Sequence, residues 1–123
     1  LFDPSELGNV CAETPSAPES RPTPEIKAWA DAYQKRFGLE PDGLALGQYD
    51  GVMMAISVIA AGASTPAEVI DGLQSTTYKG IAMTDKSNGK GDMAHDADIV
   101  CWDGKSRIPA VVKHYGGGGM LIQ

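Results

Sequence analysis

Between residues 24 and 38 the apolar positions Ile26, Trp29, Ala30, Tyr33 and Phe37 recur at the spacing of one helical face. Thr23 is placed to cap that helix, Pro24 to open it and Gly38 to stop it, so the pattern predicts a helix with a wide aromatic side. The proline and glycine of the "LEPDGLA" that follows mark a turn, Leu44 to Leu46 read as a brief extended segment, and Leu44 to Gln48 form the loop ahead of a second helix. That helix occupies "LGQYDGVMMAISVIAAGAS" (46–64), with an expected start near Gly47 and a stop at Gly62. Leu46, Tyr49, Val52, Met53, Ile56, Ile59 and Ala60 fall on one side, and Gly51, Met54, Ala55 and Val58 on the other, so it is predicted to be covered nearly all round. Thr65-Pro66-Ala67-Glu68 then supplies the cap, first-turn proline and reach-back acid of a capping box, for a short helix ending near Gln74.

Beyond this point the rhythm changes. "YKGIAMT" runs into the hydrophilic "DKSNGKGD", and "ADIVCW" and "KSRIPAVVKHY" flank Asp103-Gly104, the signature of a hairpin between two strands. Pro109 cannot donate to a ladder, so the second strand is expected at an edge or beginning after it. A glycine run, Gly116 to Gly119, precedes the closing "MLIQ". Near the start, "ETPSAPESRPTP" carries four prolines and reads as an extended surface connection. An extended opening, three helices and two or three strands make too little sheet for helices this apolar. Burying one Ile or Met side chain contributes roughly 1.5–3 kcal/mol, so the second helix is expected to be covered by more of a larger protein or by a second copy of the chain.

Length and charge narrow the partners. At 123 residues the chain is close to one domain, and its 42% hydrophobic content is ordinary for a folded protein. A formal charge of -6, with ten basic residues scattered along the chain, offers no patch for a phosphate backbone, so nucleic acid is not an expected partner. The longest nearly apolar run, Gly51 to Ala63, falls short of the roughly 20 residues of a bilayer crossing, so no membrane insertion is expected. "LFDPSELGNVCAETP" has no initiator methionine and no charged-then-apolar leader, and reads like the interior of a longer polypeptide whose signal peptide lies upstream.

Candidate chemistry is sparse. Cys11 and Cys101, ninety positions apart, cannot form a C-x-x-C site; a disulfide in an exported protein and two buried thiols both fit. Asp92, His95, Asp96 and Asp98 have the chemistry of a hard-metal site, but His114 is the only other histidine, and a loop this rich in Gly and Lys reads first as solvated surface. "GGGGM" lacks the Lys-Ser/Thr of a phosphate loop. Neither a metal nor a cofactor is therefore expected.

Six features across residues 28–83 occur in a specific order: Ala32, Tyr33, Phe37 and Gly38 at a helix end; Pro41; Tyr49-Asp50-Gly51; Ala61-Gly62; Thr65 to Glu68; and Tyr78-Lys79-Gly80. The whole resembles the C-terminal part of the periplasmic substrate-binding proteins of branched-chain amino acid type ABC transporters. Gly51 where alanine is usual, the hydrophilic "DKSNGKGDMAHDAD" and the glycine run depart from that family. The resemblance implies an α/β fragment of a type I periplasmic-binding-protein fold, with two lobes joined by three crossings and helices packed on a parallel sheet largely supplied by missing chain or a partner. Residues 1–14 would then end the second lobe and form a hinge crossing, 15–97 the C-terminal portion of the first lobe, and 98–123 the returning hinge strand and tail. Two crossings lie side by side in that fold, which implies a disulfide between Cys11 and Cys101.

The implied function is capture of a small polar solute, such as an amino acid, amide or carboxylate, between the lobes, for delivery to an ABC permease from the periplasm, without catalysis or cofactor. The implied ligand contacts are Glu13, just past a crossing, and Leu44, Leu46, Gln48 and Tyr49 around the loop before the second helix. Each also has a structural reading: Tyr49 as packing with its hydroxyl bonded, and Asp50 as a first-turn acid favoured by the helix dipole. Two other readings remain, a metal-dependent hydrolase subunit using the acidic His95 loop and a module that pairs with itself through the exposed helix.

Overall fold

The structure is a computed structural model that describes residues 2–117 and 119–122; Leu1, Gly118 of the glycine run, and Gln123 lie outside them. A short turn of 3-10 helix (Pro4–Leu7) leads into β1 (Cys11–Thr14), then α1 (Pro24–Phe37), α2 (Gly43–Ala60) and α3 (Pro66–Ser75). The remainder is extended: β2 (Thr77–Lys79), β3 (Thr84–Ser87), β4 (Met93–Ala94), β5 (Ala97–Cys101), β6 (Ala110–Gly116) and β7 (Met120–Leu121).

The helices follow their caps. Thr23 accepts the Ile26 N–H at 3.1 Å at the start of α1, and Gly38 closes it as expected. Trp29, Tyr33 and Phe37 stack in turn, with ring centroids 5.4 and 4.6 Å apart, so the aromatic face is a continuous ladder. α2 begins four residues earlier than the apolar pattern predicts, because the Asp42 carboxylate takes the Ala45 N–H at 2.8 Å and makes Gly43 the first helical residue. The capping box of α3 is complete, with Glu68 accepting from the N–H groups of Ser64 and Thr65 and Thr65 accepting from Glu68.

Those bonds, led by that from the Ser64 N–H, hold the Glu68 carboxyl below its usual range. Its contribution is therefore present above the unfolded-state carboxyl value and lost as pH falls through the lower folded-state value. Thr65→Ala is expected to lower stability by about 1 kcal/mol in urea titrations near neutral pH. Glu68→Gln should melt below the parent at neutral pH and converge with it in acid.

One sheet has the order β1-β5-β6-β7 and the other β2-β3-β4, and every pairing described is antiparallel. Cys11 stands opposite Cys101 in the β1–β5 ladder, and the two are joined as a disulfide. The Asp103-Gly104 turn is not a two-residue hairpin, since residues 102–109 all lie between β5 and β6; Asp103 accepts the N–H groups of Lys105 and Ser106 and shapes a longer loop. β6 begins directly after Pro109, as a residue without an N–H requires. The small β2-β3-β4 sheet was not visible in the hydropathy pattern, because β3 (TDKS) has no apolar residue to alternate.

The proline-rich connection is less superficial than its composition suggests. Ser16 and Pro18 are buried, and the Ser20 hydroxyl donates to the Pro109 carbonyl at 2.6 Å. Ile26, Leu46, Val58, Met83 and Val100 form the core, a small one for the number of apolar residues present. On α2 the buried positions are Leu46, Asp50 and Val58, whereas Tyr49, Val52, Ile56 and Ile59 form an exposed stripe. The side richest in large apolar groups is thus the side this chain leaves open. Among the described residues α2 is also long and apolar enough to reach the lower limit for a bilayer crossing, which the run counted from Gly51 did not anticipate. Its mid-helix Asp50 is hydrogen-bonded by backbone N–H groups of this same chain, the arrangement of a helix packed on protein.

Candidate functional site

The exit of β1 and the first turn of α2 are drawn together by short-range polar contacts. The Thr14 hydroxyl donates to the Ser16 carbonyl at 2.7 Å, and the buried Ser16 hydroxyl donates to the Gly43 carbonyl at 3.2 Å. A Cβ at residue 43 would lie 2.8 Å from the Ser16 carbonyl oxygen, so only glycine allows this approach. The contact sets the strand end bearing Glu13 beside the helix start bearing Leu44. Gly43→Ala is expected to force the two apart at a cost of about 1–3 kcal/mol, read as a lower urea midpoint.

Glu13 is exposed on β1, and Leu44 projects from the first turn of α2 with 74% of its surface accessible. Leu44 to Gln48, expected as a loop, are helical throughout. Leu46 has no accessible surface and belongs to the core, so it positions the turn from within. Gln48 and Tyr49 instead face an open groove of about 770 Å³ between α1 and α2, with Trp29, Tyr33, Phe37 and Val52 among its walls. Tyr49 packs its ring 5.7 Å from that of Trp29, and its hydroxyl makes no hydrogen bond among the described residues.

Asp50 is not a first-turn acid. It sits in the middle of α2, is 1% exposed, and accepts the N–H groups of Ile81 at 3.0 Å and Ala82 at 2.8 Å, closing the turn between β2 and β3. A Cβ at Gly80 would overlap the carboxylate, so this residue pair is spatially interdependent. A carboxylate alone in so apolar a helix was the available signal for this, since a buried charge needs fixed partners.

Around this turn two groups titrate away from their ordinary values. Burial first, then the Asp50 charge, pushes the Tyr78 hydroxyl up, and burial is also the main cause that raises the Asp85 carboxyl, with His95 opposing it. For Asp85 the folded chain holds its proton more tightly than the unfolded one, so stability declines as pH rises through the window above the ordinary carboxyl value. Asp85→Asn is expected to flatten that decline, measured as urea midpoints between about pH 4 and pH 7.

A second polar group joins the proline-rich connection to the larger sheet. Asp98, 4% exposed, receives Arg21 Nη1 at 3.0 Å and lies 2.8 Å from His114 Nδ1. This takes Asp98 out of the acidic loop proposed as a metal site. Asp96 accepts the Gly117 N–H, His95 Nδ1 contacts the Asp96 carbonyl, and no three His, Cys, Asp or Glu side chains among the described residues are grouped to hold a metal. Arg21 was not singled out in the sequence, where nothing places residue 21 near residues 98 and 114.

The sequence profile of the periplasmic binding protein family matches residues 4–107. No curated protein matches the chain in sequence. Among solved structures it is similar to a periplasmic binding protein from Burkholderia mallei, at 17% identity and TM-score 0.77, over 92% of this chain and 32% of that one. It is similar also to the solute binding protein of an ABC transporter from Rhodopseudomonas palustris BisB5, in complex with 3,4-dihydroxy benzoic acid, at 18% identity and TM-score 0.71, over 90% and 32% of the two chains. An ABC transporter substrate-binding protein from Sphaerobacter thermophilus aligns at 15% identity and TM-score 0.70, over 94% and 33%. The chain therefore spans about a third of the length of these proteins, and the likeness extends to nearly all of what it contains.

Proposed function

Because the chain belongs to the periplasmic binding protein family, we propose that the protein it forms part of captures a small polar solute between two lobes in the periplasm and delivers it to an ABC permease. The solute class is an amino acid, amide or carboxylate; the aromatic carboxylate held by the Rhodopseudomonas protein supports the last of these. Residues 1–14 end the second lobe and cross the hinge, 15–97 complete the first lobe, and 98–123 return across the hinge into the tail.

The observation that carries the reading is the uncovered apolar face of α1 and α2, on a chain that aligns with one third of each two-lobed neighbour. In the whole protein Val52, Ile56 and Ile59 of that face rest on strands of the preceding chain, while the helix start with Gln48 and Tyr49 stays at the lobe's edge. Solute recognition of this kind needs directed hydrogen bonds and exclusion of water rather than a nucleophile or a cofactor. Glu13, Leu44, Gln48 and Tyr49 are the side chains this segment contributes toward the solute, with Leu46 holding the helix start from the core.

The test is a thermal-shift screen of the whole protein against amino acids, amides and carboxylates. A true solute at about 100 times its Kd should add about 2.7 kcal/mol of stability. Glu13→Gln and Gln48→Ala should each weaken that solute's binding while leaving the unliganded melting temperature in place. Failure of all three classes to raise the melting temperature would overturn the assignment.

A further inference from the structure

A recess of about 390 Å³ lies between the proline-rich connection and β6, lined by Ser20, Arg21 and residues 110–114, away from the α1–α2 groove and the β1–α2 junction. Its walls are built rather than fortuitous. Ser20 and Arg21 both donate their backbone N–H to the Ala17 carbonyl, and Ser20 is tied through its hydroxyl to Pro109. Arg21 Nη1 is held by Asp98, which is 4% exposed, and lies 2.6 Å from His114 Nδ1. The guanidinium is thus fixed in direction, yet its side chain keeps 42% of its surface accessible.

An arginine presents five N–H donors in a planar fork. Only Nη1 is engaged here; among the described residues no acceptor takes Nε or Nη2. Fixing one nitrogen on a buried carboxylate removes the rotamer entropy that a free arginine loses on binding, and leaves Nε and Nη2, whose N–H bonds run parallel along one edge of the fork, available to a ligand. Lys113 is also among the residues that line the recess.

From this geometry we infer that the recess is a carboxylate-binding site in which Nε and Nη2 of Arg21 grip the two oxygens of a small organic acid, with Asp98 and His114 holding the fork in place. The inference stands independently of the solute proposed for the interlobe cleft, since it uses none of the residues assigned there.

NMR titration of the intact protein tests it, following the Arg21 side-chain Nε–H and the backbone amides of residues 110–114. Acetate should shift these signals saturably, whereas equimolar acetamide and chloride should not. Arg21→Lys, which keeps the charge but loses the fork, should weaken acetate at least about tenfold. The double variant Arg21→Gln/Asp98→Asn removes the guanidinium without stranding a buried carboxylate and should abolish the response. Absence of saturation, an equal response to acetamide or chloride, or persistence of the response in the double variant would each overturn the site.

Discussion

Asp50→Ala is expected to destabilise the protein by about 3–5 kcal/mol. The carboxylate is 1% exposed and is the acceptor for two backbone N–H groups, those of Ile81 and Ala82, in the turn between β2 and β3. Removing it strands both donors where water has little access, at about 1–3 kcal/mol for each, and opens a cavity at the joint between α2 and the smaller sheet. Asp50→Asn keeps the volume, but its amide nitrogen would face one of the donors, so it should recover only part of the loss. Gly80→Ala should cost a comparable amount, because its Cβ would overlap the carboxylate. The two changes are expected to be non-additive: with Asp50 cut back to alanine the space is vacant, and Asp50→Ala/Gly80→Ala should be more stable than the sum of the single losses by about 1 kcal/mol or more. Urea denaturation of the four proteins supplies the cycle, and simple additivity would show that the pair is not coupled through space.

Replacing the disulfide is the second large effect. Cys11 and Cys101 are separated by 90 positions, so the bond closes most of the described chain into one loop. A cross-link over so long a loop typically stabilises by about 2–5 kcal/mol, chiefly by restricting the unfolded chain. Cys11→Ser/Cys101→Ser should lower stability by that amount, and reductant should bring the parent to the same level while leaving the double variant unmoved. β1 and β5 are also joined next to the bridge by the Trp102 N–H to the Val10 carbonyl and the Asn9 N–H to the Trp102 carbonyl, so the strand pairing should survive reduction in the folded state. A parent protein whose denaturation midpoint ignores reductant would contradict the stabilising role.

Local chemistry was readable in advance where it acts over a few residues. Thr23-Pro24 and Thr65 to Glu68 set the starts of α1 and α3, Pro109 set the start of β6, and the spacing of Trp29, Tyr33 and Phe37 set the aromatic face. The apolar pattern does not show the true start of α2, because glycine at position 43 reads as a break, whereas the Asp42 cap and the close approach of Ser16 make it the first helical residue. Spacing alone left Cys11 and Cys101 between bridge and free thiols; the family resemblance implied the bridge, and the β1–β5 register puts the two directly opposite each other. Of the proposed solute contacts, Glu13, Leu44, Gln48 and Tyr49 are accessible, while Leu46 is enclosed.

By itself the sequence determined the helix caps, the apolar excess of residues 46–64 and the family pattern, because periodicity, capping and composition are properties of neighbouring residues. Only the tertiary structure decided that Asp50 serves the 80–82 turn, that Arg21 is pinned by Asp98 and His114, and which side of α2 stays open. Those outcomes depend on groups 31 to 93 positions apart in the chain. Desolvation lets such groups find one another only once the backbone has folded, and no local rule of spacing records the meeting.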